Sequence, residues 1–149
     1  MIDQGAFAVC KCHFSYFKQN KMKQAHLTAD APAPIGPYSQ AVQAGKTLYI
    51  SGQIAIVPST GELVQGTIED ETHQVLKNIG AILKSAGLDY ENVVSCTVYI
   101  SDMNMFSRIN AVYAMYFTGT TPPARATVQV SGLPKNVNIE IGAIATFKV

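Results

Sequence analysis

Arg125 stands at the start of an alternating segment, in the stretch TTPPARATVQV at residues 120–130. Pro122 and Pro123 fix the backbone just before it, which restricts where its side chain can reach. A guanidinium is planar and permanently charged, and it binds a small carboxylate through two parallel hydrogen bonds. Glu140 lies in the next alternating segment, and such a carboxylate can orient or deprotonate a water molecule. The pair suggests a site for a small carboxylic acid that undergoes addition of water.

The alternation also predicts which way the two side chains point. In ARATVQV, Arg125 shares a strand face with Thr127 and Gln129, and in VNIEIGAIATF Glu140 lies opposite an apolar face. If helices cover the apolar faces, Arg125 and Glu140 project from the face that the helices leave open. The alternative is an ordinary surface ion pair that contributes very little. The open face continues into apolar residues such as Ile144, which favours an interface with a cleft.

Other chemistries find less support in the sequence. The cluster CKCH offers Cys10, Cys12 and His13 as soft ligands, but a structural zinc site needs four and no second cluster follows. We interpret the cysteines as thiols in a reducing compartment and predict no metal site. His26 and His73 are scattered, and no glycine-rich phosphate loop is present. We therefore expect no cofactor.

The elements that position these residues are predicted from periodicity. The segment at residues 67–87 carries an apolar stripe at helical spacing, with Thr67 and Asp70 as a capping box and Gly87 as its end. A second amphipathic helix is predicted over residues 105–117, with Phe106 and Tyr113 on its stripe. Short apolar segments around AGK predict a hairpin, residues 93–101 a strand, and ARATVQV and VNIEIGAIATFKV two closing strands. This order predicts an α+β layer with both helices on one face of a sheet.

Composition limits the class of protein. The chain has 149 residues, of which 48% are hydrophobic and 14% charged, with a formal net charge of +1. These values predict one soluble domain and argue against nucleic-acid binding, and no apolar run is long enough for a membrane span. We divide the chain into an extension of uncertain role at 1–27 and a single domain at 28–149. The extension is either a start-site ambiguity or an organelle-targeting leader, so the predicted location is cytoplasmic, with a mitochondrial or other organelle as the alternative.

Four motifs resemble those of one family. APAPIGPYSQAV, LYISGQIAI, PPARATVQV and LPKNVNIEIGAIA are similar, in this order, to the RidA branch of the Rid/YjgF family, the enamine/imine deaminases. The resemblance spans about residues 28 to 149. It implies a chorismate-mutase-like α+β subunit in a homotrimer, whose sheets form a central barrel with clefts between neighbouring subunits. It also implies hydrolysis of 2-aminoacrylate and related 2-imino acids to 2-keto acids and ammonia, without a cofactor.

The resemblance also implies roles for individual residues. Arg125 matches the arginine that binds the substrate carboxylate, and Glu140 the glutamate that orients the attacking water. The substrate-binding positions that it implies are Tyr38, Ser51, Gly52, Asn110 and Thr127. Thr127 replaces a cysteine found in many relatives, and Gly142 replaces a second acid.

Each of these positions also has a plain structural interpretation. Tyr38 could be a core aromatic, Gly52 could permit a bend or bulge, and Asn110 could be a polar residue on the helix surface.

Two other functions stay open at the level of the sequence. One is an endoribonuclease or translation inhibitor, a role also attached to members of this family. The near-neutral charge argues against it, because RNA binding needs a basic track. The other is a non-catalytic trimer, chaperone-like or binding keto acids, which would bind at Arg125 without turnover.

Overall fold

Six strands and two helices make up the part of the chain that the structure describes. The structure is a computed structural model, and it describes residues 22–64 and 66–147. The strands are β1 (Gln24–His26), β2 (Ala41–Ala44), β3 (Thr47–Gln53), β4 (Val93–Ile100), β5 (Ala124–Gln129) and β6 (Ile139–Thr146). The helices are α1 (Ile68–Ser85) and α2 (Phe106–Ala114). Cys10, Cys12 and His13 lie outside the described residues.

Helix α1 begins and ends at the predicted signals. The Thr67 hydroxyl accepts a hydrogen bond from the backbone N–H of Asp70 at 3.2 Å, and the Asp70 carboxylate accepts one from the N–H of Thr67 at 3.1 Å. Gly87 follows the helix with φ of +74°, in the left-handed region that ends helices. The predicted capping box and glycine terminus are both confirmed.

Helix α2 is shorter than predicted. It ends at Ala114, and the N–H groups of Met115 and Tyr116 donate to the carbonyls of Val112 and Tyr113, three residues back. This tighter turn closes the helix before residue 117, the end that the apolar spacing suggested. Among the described residues, no helix is long and apolar enough to cross a membrane.

All six strands form one mixed sheet in the order β1-β2-β3-β6-β4-β5. Strands β4 and β5 are parallel, with α2 in the connection between them, and the other pairs are antiparallel. Parallel neighbours need a crossover of this kind, whereas a short turn suffices at the β2–β3 hairpin, where Gly45 has φ of +60°. Among the described strands, β5 is an edge strand that pairs only with β4. Strand β1 falls within residues 1–27 and pairs with β2.

The core lies between the helices and one face of the sheet. Alternate residues of β6, from Ile139 to Ala145, are buried against apolar side chains of both helices. The other face carries exposed apolar side chains, with Tyr49 of β3 50% and Val128 of β5 40% exposed. The predicted α+β layer, with two helices on one face of a mixed sheet, is confirmed.

Candidate active site

A bulge in β3 forms one half of the candidate site. Ile50 pairs with Ala143 and Gln53 with Ile141, so β3 holds one residue more than β6 between these two pairs. The bulge contains Ser51 and Gly52. The Glu140 carboxylate lies against Gly52, and a Cβ on Gly52 would overlap it. A Cβ here would displace the Glu140 side chain, so close approach adds a more specific reason for glycine to the bulge that the sequence suggested.

Tyr38, Ser51, Gly52 and Glu140 line one cavity of about 350 Å³. Its other walls are apolar: Ile35, Ile54 and Pro134. The Ser51 hydroxyl donates to the Ser39 carbonyl at 2.7 Å, which ties the loop that carries Tyr38 to the bulge. The Tyr38 hydroxyl accepts a hydrogen bond from the N–H of Ile35 at 3.2 Å, and Tyr38 is 45% exposed. Tyr38 therefore lies in a cavity wall, and the alternative of a core aromatic is wrong.

Glu140 is the ionisable group of this cavity. Burial raises the pKa of its carboxyl above the ordinary value of a glutamate. Among the described residues, no hydrogen-bond donor contacts its carboxylate. A carboxylate in this setting is a stronger base than one in water and keeps its oxygens free for a water molecule or a substrate.

Arg125 lies on the helix-covered face of the sheet, so the prediction that it shares the open face with Glu140 is wrong. It pairs in register with Cys96, whose side chain is buried in the core, and its Cζ lies over the ring of Tyr113 at 4.5 Å. The parity argument failed because β5 is an edge strand whose apolar residues, such as Val128, point to the uncovered face. Glu140 does lie on the open face, as predicted.

Thr127 and Asn110 belong to the same side as Arg125. Thr127 pairs in register with the buried Val98, so it shares the helix-covered face with Arg125. Asn110 is half-buried on α2, four residues after Phe106 and three before Tyr113. Both rings contact the Arg125 guanidinium, so Asn110 lies on the stripe of α2 that faces it.

The predicted site residues therefore fall into two groups. The arginine group is Arg125, Thr127 and Asn110, and the glutamate group is Tyr38, Ser51, Gly52 and Glu140. Their two charged members, Arg125 and Glu140, lie on strands separated by β4 and point to opposite faces of the sheet. One subunit does not bring them together.

Sequence reasoning missed the immediate surroundings of both groups. Phe106 and Tyr113 were assigned only to the apolar stripe of α2, because the register between β4 and β5 that brings Arg125 to them is a non-local property. Ile35, Ile54 and Pro134 were not singled out, although all three stand within the motifs quoted above. Among the described residues, no cluster of three or more His, Cys, Asp or Glu could hold a metal ion.

The chain is similar in sequence to one protein family and to several of its members. The family model described as endoribonuclease L-PSP matches residues 28–147. A RutC family protein of Pyrococcus horikoshii is 57% identical over 124 residues, covering 83% of this chain and 98% of its own. The mouse 2-iminobutanoate/2-iminopropanoate deaminase is 54% identical over 118 residues, covering 79% of this chain and 87% of its own.

Solved structures show the same fold. The E. coli YjgF gene product aligns with a TM-score of 0.80 and 42% identity, over 84% of this chain and 99% of that one. E. coli TdcF with bound serine aligns with a TM-score of 0.80 and 41% identity, over the same shares of the two chains. The fold predicted from the sequence motifs is confirmed by these structures.

Proposed function

Because the chain belongs to the endoribonuclease L-PSP family, also called the Rid or YjgF family, we propose that it is a hydrolytic deaminase of reactive 2-imino acids. Its substrates would be 2-aminoacrylate, 2-iminobutyrate and similar enamines or imines, and its products 2-keto acids and ammonia. The name of the mouse relative supports this activity. The serine bound to TdcF supports a small molecule with a carboxylate as the ligand.

The observation that carries the proposal is the state of Arg125. Its guanidinium lies over aromatic rings and makes no salt bridge or hydrogen bond with any described residue. The other arginine, Arg108, is engaged by the Glu69 carboxylate through two hydrogen bonds of 2.6 Å. Arg125 thus keeps its donors for an external carboxylate, which a guanidinium can bind through two parallel hydrogen bonds.

We propose further that the two groups meet between neighbouring subunits of a homotrimer. Arg125 sits on an edge strand, where a second subunit can reach it, and the exposed apolar side chains of the open face offer a surface to bury. Each cleft would then combine the arginine group of one subunit with the glutamate group of its neighbour.

In this cleft the reaction is a hydrolysis without a cofactor. Arg125 binds the carboxylate, and Glu140 accepts a proton from water as the water oxygen bonds to C2 of the imine. The electron pair of the C=N bond moves to nitrogen, which takes the proton from Glu140 and so restores its carboxylate. Glu140 then removes the hydroxyl proton of the resulting carbinolamine, nitrogen receives that proton, and the C–N bond breaks. Ammonia leaves and the keto acid remains. An enamine substrate first gains a proton at C3 and loses one from nitrogen, which gives the imine.

A coupled assay tests this activity. When the protein is added to a serine or threonine dehydratase reaction, we expect faster release of ammonia and keto acid. Arg125→Ala should lower kcat/KM by about a hundredfold or more, because charge-assisted hydrogen bonds to the substrate are lost. Arg108→Ala is the matched control, since it removes the other arginine from an exposed ion pair.

The alternatives give different results in the same experiment. No gain in rate over the dehydratase alone would reject the deaminase, and binding of a keto acid without turnover would indicate a non-catalytic binding protein. Ribonuclease activity is not supported by the described histidines, because His26 bonds to Gln43 and His73 to Tyr116, in different parts of the fold. RNA cleavage that survived both Arg125→Ala and Glu140→Ala would indicate a contaminant.

A further inference from the structure

Two aromatic rings of α2 lie against the Arg125 guanidinium. Its Cζ is 4.5 Å from the ring centroid of Tyr113 and 5.8 Å from that of Phe106. The two aromatic residues are seven positions apart, so they lie on the same face of the helix. The electron-rich face of an aromatic ring attracts a cation at these distances. The helix therefore supplies Arg125 with a fixed electrostatic partner that is not a carboxylate.

The rings differ in how firmly they are held. Tyr113 is 6% exposed and stacks on Phe117 with 4.4 Å between ring centroids, so its position is fixed by the core. Phe106 is 39% exposed at the start of α2. Tyr113 therefore forms a rigid base for the guanidinium, and Phe106 borders it from the surface.

The ring of Tyr113, and not its hydroxyl, makes this contact. The hydroxyl is buried, lies beside the Cys96 thiol and makes no hydrogen bond of ordinary geometry with a described residue. A buried polar group without a partner costs free energy, so the hydroxyl does not explain why an aromatic residue stands here. A ring attracts the guanidinium through its charge, and the N–H donors are not used up by this contact. The contact restrains Arg125 without using its hydrogen bonds.

We propose that Tyr113, assisted by Phe106, is a positioning residue that holds the Arg125 guanidinium ready for the substrate carboxylate. This inference rests on the proposed function, because it assigns to Arg125 the carboxylate of the 2-imino acid. An exposed arginine side chain otherwise samples many rotamers and must be ordered when it binds. The two rings restrict the Arg125 side chain before the substrate arrives, so less conformational entropy is lost on binding. They therefore act on substrate binding and not on the chemical step.

The test compares KM with kcat for three variants. Tyr113→Leu and Phe106→Leu keep an apolar side chain but remove the ring, and Tyr113→Phe keeps the ring. We expect KM to rise about tenfold in Tyr113→Leu and less in Phe106→Leu, with kcat within about twofold of the wild type in both. Tyr113→Phe should keep the wild-type KM, which identifies the ring as the active feature.

A loss of core packing would give a different pattern. Leu83→Ala removes a fully buried side chain from α1, on the other helix, and should lower the melting temperature without a selective rise in KM. If Tyr113→Leu does not fold, Phe106→Leu still tests the inference, because Phe106 is partly exposed. A wild-type KM in both leucine variants, or a raised KM in Tyr113→Phe, would overturn it.

The proposed function can fail separately. If the wild type shows no turnover, the deaminase proposal fails, and the dissociation constant of pyruvate, measured by calorimetry, replaces KM. Weaker pyruvate binding in Tyr113→Leu but not in Tyr113→Phe would then still support the positioning role. Equal binding by all variants would contradict it, and so would a wild type that binds no pyruvate, since the inference requires a carboxylate at Arg125.

Discussion

At the residue scale, the position of Glu140 depends on the absence of a side chain at Gly52. The carboxylate occupies the space that any side chain on Gly52 would need. The bulge in β3 provides this space, and burial beside it raises the pKa of the Glu140 carboxyl. The position and the basicity of Glu140 therefore both depend on the missing side chain of its neighbour.

This contact predicts the effect of one methyl group. In Gly52→Ala the new Cβ must displace the Glu140 carboxylate, and a displacement of about 1 Å lowers kcat by about a hundredfold when the group acts on the reacting atoms. Gly132→Ala is the matched control, because no described atom lies within 4 Å of a Cβ at that position and its φ is not in the left-handed region. Steady-state kinetics of the two variants check this. Equal kcat values would show that Glu140 takes no direct part in the reaction.

The raised pKa of Glu140 predicts a dependence of stability on pH. A carboxyl whose pKa is higher in the folded than in the unfolded state binds its proton more tightly when folded. The stability that the protonated carboxyl contributes is therefore fully present at a pH below the pKa of the unfolded state. It is lost as the pH rises through the pKa of the folded state. We expect Glu140→Gln to melt at a higher temperature than the wild type at pH 7, with the difference vanishing near pH 4 or below. Melting curves across this range test the sign, and a Glu140→Gln protein that is less stable at pH 7 would contradict it.

At the scale of elements, α1 could be predicted accurately because its signals are local. Its apolar stripe, its capping box at Thr67 and its end at Gly87 all lie within about twenty residues, and each was confirmed. Glu140 could be placed correctly for a similar reason, since the alternation of β6 matches its buried face. The face of the sheet to which Arg125 points could not be predicted in this way. It depends on which strand pairs with β5, and that pairing joins segments about thirty residues apart.

The capping box of α1 is expected to contribute measurably to the free energy of unfolding. Thr67→Ala removes the acceptor for the N–H of Asp70 and should lower the free energy of unfolding by about 1 kcal/mol. Thr121→Ala is the control, because Thr121 is exposed and makes no hydrogen bond with the described residues. Urea denaturation followed by circular dichroism measures both variants. Equal values would mean that the cap contributes nothing to the stability of α1.

At the scale of the whole molecule, the separation of the two groups of site residues bears on the proposed homotrimer. Arg125 and Glu140 point to opposite faces of one sheet, so a cleft that contains both requires two subunits. The motifs implied such clefts only through the resemblance to the family. The structure adds a physical reason to propose them, because the sheet separates the two groups.

A mixing experiment tests the shared cleft. Arg125→Ala and Glu140→Gln should each be inactive alone, but subunits of the two variants, unfolded together and refolded, should regain activity. In a randomly mixed cyclic trimer about a quarter of the clefts pair an intact arginine with an intact glutamate. We expect about that fraction of wild-type activity, measured in the coupled assay after gel filtration confirms a trimer. A mixture that stays inactive would place both residues in one subunit.

The one-sided pairing of β5 among the described strands has a consequence for the carboxylate binding that we propose at Arg125. A strand with a single ladder is among the first parts of a sheet to open, since fewer hydrogen bonds must break than for a strand with two neighbours. Detachment of β5 would carry the guanidinium away while the cavity around Glu140 stayed intact. A carboxylic acid bound at Arg125 would then be released when β5 opens locally, and its carboxylate would in turn stabilise the pairing of β5 with the sheet.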